Sequence, residues 1–372
     1  MNLTVLHTES SLGWGGQENR TLNEMLGLRE FGHAASLACQ PGAKLGVRAR
    51  EAGFEVFETR MRSAVDIPAI LQLRRFMRQC RADIVNTHSG RDTQLAGMAA
   101  HTLARRPRIV RTRHLALPIT SRFTYSVLPD HVVTVSAHVA RYLVTAGVPK
   151  EKITAVPTGI DLSRYTAAPG GGTLRAELGL PAAAPLVGTV AILRRKKGHA
   201  ELLEAIPAVL TRFPDTHFVF AGDGPQRENL ERRIAELGLG GSVHLLGLRR
   251  DVVNVLASLD LFVLPTHQEA LGTAFVEAGA MGLAAIGSNV DGVPEIVGAT
   301  IDPTAGTSGE TGKLVPVNDP PALSRAIVEL LGDAALRQRM GAAAQRKVAT
   351  HFSREAMVAG MVGVYRAVLE RP

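Results

Sequence analysis

The sequence predicts an α/β protein made of two doubly wound halves. Short apolar, β-branched runs alternate with amphipathic stretches along the chain, the pattern of parallel strands joined by crossover helices. The alternation runs twice, interrupted at residues 165–173 (YTAAPGGGT), where three consecutive glycines mark a linker. The 372 residues, 45% of them hydrophobic, are enough for two separate cores.

In the first half, strands are expected at 3–7, 34–38, 54–57, 83–87, 109–112, 132–135 and 153–156. In the second they are expected at 186–192, 218–221, 243–246, 261–264 and 283–286. A helix over 68–81 places Leu73, Phe76, Met77 and Cys80 on one face and Arg74, Arg75, Arg78 and Arg81 on the other. A last helix spans 354–369. The resulting division is 1–165, 166–353 and a terminal segment, 354–372.

Composition narrows the function. Residues 1–165 hold 22 Lys+Arg against 13 Asp+Glu, a net of +9, whereas 166–372 carry a net of −1. The first half is therefore suited to something anionic: a membrane, a phosphorylated acceptor or, least of all, nucleic acid, for which motifs and stacking aromatics are lacking. The two cysteines, Cys39 and Cys80, sit in apolar settings and suggest a reducing compartment. No signal-peptide pattern opens the chain and no apolar run reaches membrane-span length, so a cytoplasmic location is expected, with peripheral contact at the inner face of the cytoplasmic membrane.

Residues 264–297 (LPTHQEALGTAFVEAGAMGLAAIGSNVDGVPEIV) hold the densest chemistry. A strand ending at Leu264 leads through a loop carrying Glu269 into a helix over 272–281 that carries Glu277. Ala270, Leu271, Gly272 and Thr273 lie at the helix start, whose free N–H groups and dipole suit a phosphate. Two carboxylates around an anion cradle suit a nucleoside diphosphate sugar, since carboxylates accept from hydroxyls. The spacing Glu269-x7-Glu277 with its flanks, followed by GVPEIV, resembles the family 4 retaining glycosyltransferases of the GT-B superfamily. That resemblance implies the GT-B fold, two doubly wound Rossmann-like domains facing a central cleft.

Other motifs extend the resemblance. Gly13-Trp14-Gly15-Gly16-Gln17-Glu18 breaks a dinucleotide fingerprint at Glu18, and no acidic residue closes the second strand, so an NAD site is disfavoured. The loop is similar to the family's GGxE loop, which implies that Gly15 and Gly16 approach the donor phosphate. His114 in VRTRH matches the family's histidine beside the donor sugar and, with Glu269, is the catalytic candidate. His88, Arg111 and Arg113 are acceptor-side candidates, although Arg111 and Arg113 share a strand face and equally read as a solvated pair. In GTVAILRRKKGH, four consecutive cations, Arg194–Lys197, are costly to assemble without a neutralising anion. The resemblance assigns Lys197 to the diphosphate; the family's arginine position falls on Ile192, leaving Arg194 to take its place.

The expected reaction is metal-independent transfer of a sugar, with retention, from a nucleoside diphosphate sugar co-substrate to a glycan or glycolipid hydroxyl in envelope (lipopolysaccharide-like) synthesis. No cofactor and no metal are expected, and no Asp-x-Asp pair occurs. The alternatives are an epimerase on the same fold, or a non-catalytic protein binding sugar nucleotides or anionic lipid.

Overall fold

The computed structural model describes residues 2–115, 117–119, 121–167, 170–300 and 309–371; positions 168 and 169 of the expected linker lie outside them. The chain divides into two units, Met1–Ile160 with His351–Pro372, and Asp161–Thr350.

The first unit is a parallel sheet of β1 (Thr4–Glu9), β2 (Ala34–Cys39), β3 (Glu55–Glu58), β4 (Ile84–Thr87), β5 (Arg108–Arg113), β6 (His131–Thr134) and β7 (Ile153–Ala155), in the order β3-β2-β1-β4-β5-β6-β7. Between the strands run α1 (Gly16–Glu30), α2 (Lys44–Glu51), α3 (Ile67–Gln79), α4 (Gly90–His101) and α5 (Ala137–Thr145). Local chemistry starts these helices. Asp66 caps α3 by accepting from the Ala69 N–H at 3.2 Å, with Pro68 in the first turn, and Ser136 caps α5 at 3.2 Å. Glu18, the residue that spoils the dinucleotide fingerprint, reaches back from the first turn of α1 and accepts from the Gly15 N–H at 2.8 Å.

The second unit repeats the scheme with β8 (Leu186–Val190), β9 (His217–Ala221), β10 (Val243–Gly247), β11 (Leu261–Leu264), β12 (Ala285–Ser288), a short antiparallel pair β13 (Ala299–Thr300) and β14 (Gly309–Glu310), and β15 (Gly312–Val315). Its main sheet is parallel in the order β10-β9-β8-β11-β12-β15. The helices are α6 (Leu174–Glu177), α7 (His199–Arg212), α8 (Arg227–Glu236), α9 (Val252–Ser258), α10 (Thr273–Ala280), α11 (Pro320–Gly332) and α12 (Ala334–His351). The strand at 312–315 was not anticipated: its run, GKLV, is short and carries a lysine.

The last helix, α13 (Arg354–Leu369), returns to the first unit, where Met357, Val358, Met361, Val362 and Tyr365 share a core with Leu3, Val5, Leu28, Val110 and Val133. Ile160 and Phe352–Arg354 pair through backbone bonds, Ile160 N–H to Phe352 O at 2.9 Å and Arg354 N–H to Ile160 O at 2.8 Å. The Pro157–Asp161 segment is therefore shaped by its fit to this return: a Cβ on Gly159 would lie 2.1 Å from Ser353 O.

In both sheets the strand order reverses, between β1 and β4 and between β8 and β11. Chain emerging from the carboxyl ends of strands flanking such a switch point diverges to opposite sides and leaves a crevice there. In the second unit this places the loops after Val190 and Leu264 together. In the first it places the 10–15 loop beside His88.

Candidate active site

In the second unit, β8 runs through Ala191–Arg194 into a 3-10 turn, Arg195–Lys197, and then through Gly198 into α7. The loop after β11 lies against this turn. The Thr266 hydroxyl and the His267 N–H donate to Lys196 O at 2.8 and 2.7 Å, and the Lys197 ammonium pairs with the Glu269 carboxylate. Lys197 and Glu269, 15% and 19% exposed at their side chains, are thus joined directly. An ammonium has three donors and this pair uses one, leaving two for another acceptor.

The expectation for Arg194–Lys197 is corrected in one respect. Arg194, Arg195 and Lys196 are exposed, so water and salt screen their repulsion and the run by itself demands no anion. Only Lys197 is held inside the crevice; Arg194 starts the turn, and Ile192, 43% exposed, offers nothing to a phosphate.

Ala270 and Leu271 lead into α10, capped by Gly272 in the left-handed region at φ 101°. Thr273 and Ala274 open the helix and have no intrahelical acceptor for their N–H groups. This entry is braced from the segment that leads into GVPEIV. The Asp291 carboxylate accepts from the Glu269 N–H at 3.0 Å, the Gly292 N–H donates to Glu269 O at 3.0 Å, and a Cβ on Gly292 would lie 2.2 Å from Ala270 O.

Glu277 lies half-buried one turn further on and accepts from the Tyr165 hydroxyl at 3.0 Å. Tyr165 escaped the sequence reading because it falls in the linker, where nothing signals a partner 112 residues away. Burial pushes the Glu277 carboxyl up from 4.5, with the Tyr165 bond and the Arg164 charge pulling partly back. A raised carboxyl pKa means that the folded chain binds the proton more tightly than the unfolded one. Its contribution thus favours folding below the ordinary value and fades as pH climbs through the raised one. Glu277→Gln, which still accepts from Tyr165, is expected to melt higher than wild type at pH 7 and level with it at pH 4. A difference larger at pH 4 would contradict this.

In the first unit, His7 on β1, His88 after β4 and His114 after β5 form a buried file. His7 Nδ1 and His88 Nε2 are 3.1 Å apart, and His88 Nδ1 and His114 Nε2 are 3.0 Å apart. Burial lowers the pKa of all three. His7 was not among the sequence candidates; a histidine followed by Thr8 and Glu9 within a buried central strand, TVLHTE, is the signal that could have drawn attention to it. Gly15 and Gly16 are exposed at the start of α1, and a Cβ on Gly16 would meet nothing within 4 Å. Glu9, at the end of β1, is pushed up to about 8 by burial and the neighbouring charge of Asp92.

Arg111 is not part of a solvated pair. It is 3% exposed, stacks 3.6 Å above the Tyr125 ring and donates to Thr124 O at 2.8 Å. Burial lowers its pKa to about 10, the mark of a cation short of compensation. Arg113 donates to Leu115 O and Leu117 O at 2.8 and 2.6 Å. Both line a cavity of about 380 Å³ with Arg91, Leu115, Leu117 and Ile119. Among the described residues no three His, Cys, Asp or Glu side chains are grouped to hold a metal ion, and no helix is long and apolar enough to cross a membrane.

Residues 14–164 match the family described as Glycosyltransferase Family 4, and residues 172–347 match Glycosyl transferases group 1. The chain belongs to the group 1 glycosyltransferases. Among relatives of this family, it is 31% identical to the lipopolysaccharide core biosynthesis glycosyltransferase LpsE of Rhizobium meliloti, over 49% of this chain and 50% of LpsE. It is 28% identical to the UDP-Gal:alpha-D-GlcNAc-diphosphoundecaprenol alpha-1,3-galactosyltransferase of Escherichia coli, over 73% and 72% of the two chains. The chain thus spans about half the length of LpsE and most of the galactosyltransferase. A glycosyltransferase from Rickettsia africae superposes with a TM-score of 0.88 over 100% of both chains at 20% identity. HepE of Anabaena, in complex with UDP and glucose, gives 0.81 over 98% and 100% at 19%. At these identities the likeness establishes the fold, which is GT-B.

Proposed function

We propose that this group 1 glycosyltransferase moves a sugar from a nucleoside diphosphate sugar to an acceptor hydroxyl, with retention of configuration and without a metal ion, in the assembly of a cell-envelope glycan. The reading is carried by the convergence of Lys197, Glu269 and the N-terminus of α10 at the switch point of the second sheet. The leaving diphosphate gains charge as the glycosidic bond breaks. The spare Lys197 donors, Arg194 and the N–H groups from Gly272 to Ala274 stabilise that charge, the part a metal plays elsewhere. Glu269 binds sugar hydroxyls and Glu277 the ribose. The role of His114 as the donor-sugar histidine is taken from the family that the VRTRH segment resembles, and retention is taken from the same resemblance.

An anionic acceptor is supported by the cavity lined by Arg91, Arg111 and Arg113, none of which has a carboxylate within 4 Å among the described residues, and by its apolar wall. Peripheral contact with an anionic membrane is supported by α3, which exposes Arg75 and Arg78 alongside Ile67 and Leu71, 64% and 56% exposed. The names of relatives point the same way, one carrying a diphosphoundecaprenol acceptor and another a phosphatidylinositol monomannoside.

The test is release of nucleoside diphosphate from UDP-, GDP-, ADP- and CDP-sugars in EDTA, with intact and phosphatase-treated acceptor extracts. One donor is expected to react, only with the untreated acceptor, and Glu277→Ala to abolish it. Loss in EDTA restored by Mg²⁺ would remove the metal-free mechanism. Equal turnover with treated acceptor would remove the anionic one. A protein neither turning over nor stabilised by any of the four has no donor site at Glu269–Glu277.

A further inference from the structure

The file His7–His88–His114 in the first unit is ordered in one direction, and Glu24 sets it. Thr112 Oγ1 donates to Asn86 Oδ1 at 2.9 Å, which turns the Asn86 amide nitrogen toward the core. That nitrogen donates to the Tyr365 hydroxyl oxygen at 2.8 Å and to Glu24 Oε1 at 3.2 Å. Tyr365, its oxygen so engaged, directs its one proton onto Glu24 Oε1. The Glu24 oxygen that faces His7 therefore receives donors only.

His7 Nε2 lies 3.9 Å from that oxygen and has no hydrogen-bond partner. A ring lone pair turned toward a carboxylate is repelled and an N–H is attracted, most strongly where both groups are fully buried. With its proton on Nε2, neutral His7 presents Nδ1 as an acceptor, so His88 Nε2 must donate across the 3.1 Å contact. His88 Nδ1 then accepts from His114 Nε2 across 3.0 Å. The file ends in a lone pair on His114 Nδ1. Burial favours neutrality in each ring, and the charges of Arg20, Arg113 and Arg111 add to it at His114.

We propose that Glu24, His7 and His88 are positioning residues that hold His114 as the Nε2–H tautomer, so that its Nδ1 accepts a hydrogen bond from a sugar hydroxyl of the substrate. The identity of the hydroxyl rests on the transferase reading; the tautomer does not.

The experiment is long-range ¹H–¹⁵N correlation on the full chain labelled in histidine, at pH 7. His7, His88 and His114 are expected neutral and protonated on Nε2. A proton on Nδ1 of His114, or a doubly protonated ring, overturns the proposal without any variant having to fold. Kinetics supply the second arm. His7→Leu deletes the acceptor for His88 and is expected to lower kcat about tenfold, the loss of roughly one hydrogen bond's worth of orientation, with donor KM within twofold and a mixed tautomer at His114. His7→Gln, whose amide oxygen can accept, restores most of kcat. If both variants lose kcat and KM together while the His114 signal is unmoved, His7 is merely structural and the proposal falls. The expected tautomers in a wild-type protein that turns over no donor would instead uphold the ordering and sink the transferase reading.

Discussion

Replacing Lys197 by Met is expected to lower kcat by about 10²–10³-fold, the cost of removing one fixed donor from developing charge. Within the 194–197 run this is the side chain that is partly buried and paired with Glu269, and Met keeps its length. The substitution also strips Glu269 of its partner. Since both groups are partly exposed, that loss should cost only about 1 kcal/mol of stability, and it is separable. The double variant Lys197→Met, Glu269→Gln should match the stability of Glu269→Gln alone but fall well below that single variant in kcat. Equal kcat in the double variant and in Glu269→Gln alone would show that Lys197 acts only by holding the loop after β11.

The adjacent residue carries the second large effect. Gly198→Ala is expected to destabilise the fold by about 3 kcal/mol and to lose most activity with it. Gly198 has φ 73°, and its Cβ would lie 1.9 Å from Pro265 O and 2.6 Å from Pro265 C. A left-handed L-residue costs roughly 1–2 kcal/mol and overpacking about 1–3 more. The atom displaced belongs to the backbone leading to Glu269, so the strain goes directly into the Lys197–Glu269 pair. Gly238→Ala is the control: its φ is 67°, but nothing lies within 4 Å of the new Cβ, so only the backbone term applies. Urea midpoints at unchanged m-value would measure the difference. Equal shifts at 198 and 238 would show that the loop yields freely.

The central strands were legible where a buried parallel strand is an apolar run bounded by turn residues, and the Leu261–Leu264 run was read to its ends. The helix at Arg354–Leu369 was equally plain from its periodicity. Within the site, Glu269, Glu277 and the Gly272 entry were readable because they are contiguous, so local geometry places them. The basic run misled in part, since counting charges does not say which are solvated: three of the four are, and only Lys197 turns inward. Strand alternation left Arg111 open between an acceptor contact and a solvated pair, and only the enclosure by Tyr125 and Thr124 removes the solvated reading. Asp291 showed no signal as the brace of Glu269, because its role depends on a contact 22 residues away.

The sequence by itself determined the alternation of strands and helices, the caps that start the helices, the glycines at the tight entries and the side chains able to meet an anion or a hydroxyl. All of these depend on residues within a few positions of one another, where chain geometry leaves little choice. The tertiary structure alone decided which of them meet. His7 and His88 are 81 residues apart, His88 and His114 are 26, Lys197 and Glu269 are 72, and Tyr165 and Glu277 are 112. The first three of these pairings follow from strand order. Parallel strands with crossover helices deliver every carboxyl end to the same edge of the sheet, but which ends become neighbours is set by how the helices pack on its two faces, and no local run of residues encodes that.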